Sequence, residues 1–524
     1  KGVVVGAKIA LKNEGGQVYL IRSDIDGQYA FKNLKQGFYS ATVTMLSFDT
    51  LSVELEIKSG QNTHDFIVGG GQELEEVQVI GNLAIDRKTP VAVTRISTKQ
   101  IAEELGSQDL PMILNSTPGV HATQQGGGDG DARITIRGFD QRNVGVMIDG
   151  VPVNDMENGA VYWSNWFGLD AITGQIQVQR GLGATKLAMP SVGGTMNILT
   201  QATGGKRMIR VAQEYGTGDF LRTSLSYKSG TLKNGWGVLF SGSYKQGNGW
   251  VDGANTQGAF YYLKIQKKIK NHIVSLSGFG APQQHGQRSY SQPIEYWDAN
   301  YARSLGIADS SIDAERDRGI QFNQHWGYRN GKTFNERRNY YHKPQITLKD
   351  FWKINDKLSW SNIAYTSIGR GGGQRYFNSA STIIRDENGL VDWDTIVYNN
   401  QYKTLFGQVY STADPAYDDN LLKSSQILSA SVNNHFWVGG LSQFDYKPNE
   451  YWNFAGGLDY RYYKGEHYTE VIDLLGGDYF INESDLNAGT TMKVEGDKIA
   501  REDRPYQNHR DGLVQWAGAF GQGE

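Results

Sequence analysis

Leu221, Thr223, Leu225 and Tyr227 alternate with Arg222, Ser224, Ser226 and Lys228, and this two-residue period governs the chain from about residue 206 onward. Trp236, Val238, Phe240 and Tyr244 alternate with Gly237, Ser241, Ser243 and Lys245 in the same way. The pattern is clearest where Trp452, Phe454, Gly456, Leu458, Tyr460 and Tyr462 interleave with Asn453, Ala455, Gly457, Asp459 and Arg461. A period of two is that of a β-strand with two different faces. Here one face is apolar with aromatic ends and the other is polar or small, the lipid-out, lumen-in dyad of a transmembrane β-barrel. A soluble β-sandwich alternates too, so the connections must decide. Short turns fall at Lys233–Gly235, 268–271, 354–357 and 447–450, and long polar connections at 281–341, 367–434 and 464–512. That alternation of tight and long ends is the barrel pattern.

About ten strands are expected, whereas barrels with a plugged lumen have about 22. The run Leu513–Gln522 also reads as a strand that the chain does not finish. The expectation is therefore the N-terminal part of a large antiparallel barrel, 204–524, belonging to a longer protein. Gly 65, Tyr 29 and Trp 12 beside a mean hydropathy of −0.50 fit lipid-facing residues diluted by polar lumen and loop residues. No stretch approaches the ~20 apolar residues of a membrane helix. A net charge of −3 gives no basic excess for nucleic acid. The chain has no cysteine, hence no disulfide or thiolate metal site. It opens at Lys1 with neither Met nor an apolar leader, which fits a mature or trimmed protein.

Ahead of the barrel-like region, Ile134 and Ile136, then Val146 and Ile148, alternate with polar or flexible neighbours and predict strands with one buried face. Gly138 and the turn Asp149–Pro152 punctuate them. In order, the chain reads Leu110–Val120 ending in Pro-Gly-Val, Ile136-Arg-Gly-Phe139, Ile148-Asp-Gly-Val-Pro152, Val178-Gln-Arg-Gly181 and Gly193-Gly-Thr-Met-Asn-Ile198. This ordered series resembles the plug domain of TonB-dependent outer-membrane transporters. The resemblance implies a plug over 82–203, with Arg137, Gly138, Asp149, Gly150, Arg180 and Gly181 as its structural motif. Ser97–Gln100 is a capping pattern that predicts a helix through Leu105. A second helix is expected from about Ser107 to Asn115, stopping before Pro118.

In such a plug the glycine-rich 124–131 segment and the 154–166 segment form the apex that meets substrate. The candidate binding residues are accordingly Gln124, Gln125, Asp155, Glu157, Tyr162, Trp163 and Trp166. The three rings can stack on a sugar ring or a flat chelate, or pack against the barrel wall. Arg133, Arg137, Asp149 and Arg180 lie on or beside buried strands, where charges paired inside the plug or against the wall are the simpler reading.

Residues 1–68 read as a small β-sandwich with strands at 3–11, 19–21, 29–31, 39–45 and 51–57. The runs Gly6-Ala-Lys-Ile9, Ser23–Phe31 and Gly37–Val43 resemble the carboxypeptidase-regulatory-like domain found ahead of the plug in transporters of the Bacteroidota. Asp24 and Asp26 fit a tight turn better than a calcium loop. After Gly69–Gly71, the segment Glu75, Glu76, Val77, Gln78, Val79, Ile80, Gly81 is similar to the TonB box in the form it takes in that phylum. Its β-prone positions suit strand addition to a partner, and a short strand docked on the plug is the alternative. Linker and box together span 69–81.

No metal, nucleophile or phosphate site emerges. His121, His285, His325 and His342 lack helical ligand spacing, and Gly126–Gly128 is not followed by Gly-Lys-Ser/Thr. No enzyme activity and no cofactor are expected. The resemblance implies active import across a bacterial outer membrane. The implied partners are membrane lipid and TonB, with its inner-membrane proton-driven motor, and the N-terminal domain and box lie in the periplasm. A siderophore or other metal chelate is the default substrate. Val79-Ile-Gly-Asn82 departs from the Val-Val-Gly-Tyr-Gly of starch-utilisation-type (SusC-like) importers, which take glycans or peptides with a surface lipoprotein. A surface receptor or signal transducer without transport is a reading of another class, which the β-rich N-terminal domain argues against. A secreted peptidase lacks its zinc ligands.

Overall fold

The computed structural model describes residues 4, 6–24, 26–44, 51–67, 92–125, 130–181, 191–289, 293, 298–309, 319–378, 383–449, 451–482, 492–495 and 505–523. The chain forms two compact units, Lys1–Ile80 and Gly81–Glu524.

In the first unit, Val18–Arg22, Lys8–Asn13, Gly37–Thr44 and Leu51–Ile57 form one antiparallel sheet in that order. Ile9 and Leu11 point to the same side as Tyr39, Ala41 and Val43 and are buried with them. Where a second sheet was expected, loop side chains close that side. The segment 29–31 is not a strand, and its rings Tyr29 and Phe31 pack with Phe66 over the sheet. Tyr29 stacks on Phe66 at 5.5 Å and donates its hydroxyl to the His64 carbonyl at 2.6 Å, which holds it off any ladder. Asp24 Oδ1 accepts the amide hydrogens of Asp26 and Gln28, so this carboxylate serves its own turn.

The second unit begins with a five-stranded sheet in the order Val151–Pro152, Val144–Ile148, Gly194–Thr200, Thr173–Arg180, Ala92–Ser97. Val144–Ile148 and Gly194–Thr200 run parallel and the other pairs antiparallel. All five residues of Val144–Ile148 are buried, so the expectation of one buried face fails for this strand. Val144, Val146 and Ile148 enter the plug core while Gly145 and Met147 are covered on the other side. Asp149 and Gly150, at φ of 52° and 82°, make the tight reversal into Val151. Ser97 caps the helix Thr98–Glu104 by accepting the Gln100 amide, as its pattern requires. The second helix is instead a 3₁₀ turn, Leu110–Ser116. Pro111 cannot donate an amide hydrogen and is tolerated only in a first helical turn, so no helix runs through from Ser107.

A twelve-stranded antiparallel sheet follows, ten of whose strands pair consecutively. They are Met208–Gly216, Phe220–Lys228, Trp236–Gly247, Thr256–Ile269, His272–Gly280, Gln345–Lys353, Leu358–Asn378, Gln426–Tyr446, Phe454–Asp473 and Pro505–Gly523. Leu225, Phe240, Leu263, Leu276, Leu348 and Leu458 are exposed on the outer face, while Ser226, Ser241, Lys264, Ser275, Thr347 and Asp459 are buried on the inner one. Outer aromatics mark two levels. Trp236 to Tyr244, Phe444 to Phe436 and Phe454 to Tyr462 are equal steps, about 26 Å along a strand at ~3.3 Å per residue, or about 20 Å along the axis of a barrel whose strands tilt by about 40°. An apolar band ~25 Å tall between aromatic girdles is the outward signature of a membrane barrel.

The long connections are shorter than the sequence implied. Leu358–Asn378, Gln426–Tyr446 and Phe454–Asp473 run for 21, 21 and 20 residues, about twice what a bilayer crossing needs. Residues 367–378, 426–434 and 464–473, read as loop, are therefore strand. They lost the apolar alternation because they stand beyond the lipid band, where nothing selects for it. The first two connections on this side, after Gly216 and Gly247, are short as well.

Candidate functional site

The plug lies against the inner face of the large sheet. Its core, built from Ile134, Ile136, Val146, Ile148, Ile176, Val178 and Ile198, merges with Leu239, Phe260, Tyr262 and Phe279 of the wall. Trp163 and Trp166 belong to this core at 3% and 2% exposure. They are not presented to substrate, which corrects their selection as stacking rings. Trp166 packs on Phe279 at 5.7 Å, and the Lys343 ammonium lies 5.5 Å from the Trp166 ring and 5.2 Å from that of Trp437. Tyr162 is different: it is exposed, and its hydroxyl accepts from Asn158 at 3.3 Å.

The loop around Asp155 is pre-folded by its own polar side chains. Asp155 Oδ1 accepts the amides of Glu157 and Asn158, both at 3.0 Å. Asn154 donates to the Val144 and Gly159 carbonyls and accepts the Val146 amide. Two carboxylates then reach the wall on the side of the long connections. The Tyr463 hydroxyl donates to Asp155 Oδ2 at 3.5 Å, and Glu157 Oε2 meets His467 Nε2 at 2.7 Å.

The neighbouring loop carries Gln124 and Gln125, both exposed; Gly126–Asp129 lie outside the described residues. Its base is held by Asp109, a buried carboxylate that accepts the amides of Gly130 and Ala132 at 2.9 and 3.2 Å. Asp131 meets His285 at 3.5 Å and accepts from Gln287 at 2.9 Å. Burial alone would raise the Asp131 pKa, but His285, Gln287 and Arg133 together bring it below the ordinary carboxylate value.

Deeper in the plug, Asp149 accepts from the Thr200 amide and hydroxyl, both at 2.7 Å. Lys349 of the wall stands 3.4 Å from its carboxylate and donates to its carbonyl at 2.9 Å. Burial pushes this carboxyl up, and Lys349, Lys264 and Thr200 outweigh it, leaving the pKa lowered. Gly150 donates to Asn197 at 3.2 Å. Arg180 donates to the Pro118 carbonyl at 2.7 Å, and Arg137 donates its amide to Gly119. The Arg137 guanidinium lies directly against Gly181, at φ +84°, where any Cβ would collide with it. Gly138, at φ +83°, completes the turn. A second ionic contact, Asp170 with Arg222, is a two-pronged pair at 2.9 and 3.0 Å.

Glu75, Glu76, Val77, Gln78, Val79, Ile80 and Gly81 lie outside the described residues. Sequence reasoning did not find Asp109, Asp131, Asp170, Arg222, Lys264, His285, Lys349 or His467. A signal existed for three of them. Arg222, Lys264 and Lys349 are charges at inward positions of alternating strands, where they need a partner from the plug.

Residues 86–195 match the family described as TonB-dependent Receptor Plug Domain. A ferric enterobactin receptor of Pseudomonas aeruginosa is 29% identical over 146 residues, 26% of this chain and 19% of that protein. A vitamin B12 transporter BtuB of Photobacterium profundum is 27% identical over 155 residues, 29% of this chain and 25% of that protein. Among solved structures, the FpvAI–pyocin S2 complex aligns with a TM-score of 0.55 at 13% identity, over 84% of this chain and 50% of that one. The ferripyoverdine receptor of the Pseudomonas aeruginosa outer membrane, bound to ferripyoverdine, aligns at 0.52 and 13% identity with the same coverage. The chain thus spans about half the length of these solved receptors and far less of the curated relatives aligns. The mainly β fold, with its plug and large antiparallel sheet, is that of their barrels. Residues 86–195 are a TonB-dependent receptor plug domain, and the chain is homologous to TonB-dependent receptors.

Proposed function

We propose that this protein imports a metal chelate of the siderophore or corrinoid kind across a bacterial outer membrane. TonB pulls on the 75–81 segment from the periplasm, driven by the inner-membrane proton gradient, and the protein does no covalent chemistry. The N-terminal unit is read as a carboxypeptidase-regulatory-like domain of Bacteroidota type lying in the periplasm. The observation that carries the reading is a plug-family domain whose contacts with the inner face of a lipid-banded sheet include, beside the apolar packing on Leu239, Phe260, Tyr262 and Phe279, a set of polar ones. Asp149–Lys349, Asp170–Arg222, Asp131–His285 and Glu157–His467 are all ionic or hydrogen-bonded. Such groups are re-satisfied by water when the plug moves, so separation leaves fewer stranded partners than in an apolar core. The relatives' names supply the substrate class: one is a ferric enterobactin receptor and another a vitamin B12 transporter.

The test uses the absence of cysteine. Cysteines placed at 149 and 349 are joined by a cleavable bifunctional linker in cells. Expected is loss of energy-dependent chelate uptake, restored when the linker is cut, with surface binding unchanged throughout. Uptake undiminished in the linked protein contradicts the proposal.

A further inference from the structure

The wall facing Glu157 is built in rows. Asn433, His467 and Arg510 are register partners across three adjacent strands, His435, Gly465 and Gly512 form the next row, and Trp437, Tyr463 and Val514 the row below. Directly opposed residues share a face. Two glycines side by side therefore leave a hole in an otherwise side-chain-covered surface, rimmed by His467, Arg510, Tyr463 and His435. The Glu157 carboxylate fills it. A Cβ on Gly465 would stand 3.0 Å from Glu157 Oε1, and one on Gly512 would collide with that atom.

The rim chemistry matches the occupant. Asn433 donates its Nδ2 to the Ser431 carbonyl at 3.3 Å, which turns its Oδ1 toward His467 Nδ1 at 2.8 Å. Both ring nitrogens of His467 thus face oxygens, Asn433 Oδ1 on one side and Glu157 Oε2 on the other. Arg510, opposite His467, is exposed and adds a guanidinium, the side chain best shaped for a carboxylate. The acids nearby are otherwise engaged. Asp155 is taken by Tyr463 and its own turn, while Glu466 and Asp511 pair with Lys464 at 3.3 and 3.0 Å on the opposite face of the sheet. The Glu157 side chain keeps 25% exposure, so its seat is reachable from the open side.

We propose that the Gly465–Gly512 socket, with His467 and Arg510, is a carboxylate-binding subsite, and that Glu157 is its resident occupant in the unliganded protein. The inference rests on the reading of the plug apex as the substrate face and narrows the substrate class to chelates bearing a free carboxylate. Such a substrate displaces Glu157 and releases the 154–160 loop from the wall, so that arrival outside loosens the plug within.

The full chain in lipid bilayers, spin-labelled at Met156→Cys, is titrated with succinate, with succinamide as the uncharged counterpart. Expected is a saturable rise in label mobility with succinate alone. By equilibrium dialysis, Glu157→Gln binds succinate about tenfold tighter, a difference of about 1.4 kcal/mol, because the resident competitor is weakened. Gly512→Ala, which fills the socket, and Arg510→Gln, at an exposed and fold-neutral position, each bind it at least about tenfold more weakly. Gly521→Ala, on the same strand with nothing within 4 Å of the added Cβ, behaves as the parent. Succinate bound no better than succinamide, or bound by Arg510→Gln as tightly as by the parent, overturns the subsite. Neither readout involves uptake, so failure here is distinguishable from failure of the import reading.

Discussion

Asp149 takes two hydrogen bonds from Thr200 and faces the Lys349 ammonium across the plug–wall boundary. Removing one partner of a buried ion pair leaves the other charge stranded, at about 3–5 kcal/mol. Asp149→Asn is therefore expected to lower unfolding stability by up to that amount, and Asp149→Asn with Lys349→Met by clearly less, both read by urea denaturation in bilayers. The pH dependence follows from the lowered pKa. A carboxyl depressed in the folded state stabilises fully above its unfolded value of about 3.9. That contribution fades as pH falls through the lower folded value. Acid should thus erase the difference between parent and Asp149→Asn; a difference that persists there contradicts the pairing. The Asp149–Gly150 turn was legible because both residues tolerate the left-handed backbone a two-residue reversal needs. Lys349 was legible as an inward charge in need of a partner, but its pairing with Asp149 was not, because nothing local links positions so far apart in the chain.

The 3₁₀ turn Trp163–Trp166 separates two kinds of aromatic in one short element. Trp166 is sealed between Phe279 and Lys343, and Tyr162, one residue before the turn, stands in solvent. Trp166→Ala should cost about 3–5 kcal/mol of stability, and Tyr162→Ala within about 0.5 kcal/mol. Equal losses in urea would mean that the element is packed otherwise. A run of rings in sequence does not say which will be covered, since the covering groups come from the wall. The same limit hid the socket for Glu157: the acid was legible as an apex residue, but the opposed glycines align only once the register is known. Local signals fared better, as with Ser97, whose cap depends on residues three apart. The expected second helix is a 3₁₀ turn instead, because Pro111 interrupts the apolar pattern around it.

Across the molecule, alternation gave the sheet and its lipid-facing side, since every outward leucine and aromatic follows the period of two. It did not give the strand extensions, which rise past the band and bury Ile427, Leu428, Val432 and Val471 in small clusters of their own without the regular period of two. Leu458→Arg, on the outer face at 65% exposure, should destabilise by about 2–4 kcal/mol in a bilayer. A neutral result in the bilayer contradicts the lipid assignment. The proposed import requires that a pull on the 75–81 segment drive passage through a plug that otherwise only binds. Proline cannot donate the backbone hydrogen bond that strand addition needs. Val79→Pro, compared with the parent on cells of matched surface expression, tests this by measuring chelate binding and energy-dependent uptake together. Expected is uptake abolished with binding nearly unchanged; normal uptake by Val79→Pro contradicts the proposed role of the segment.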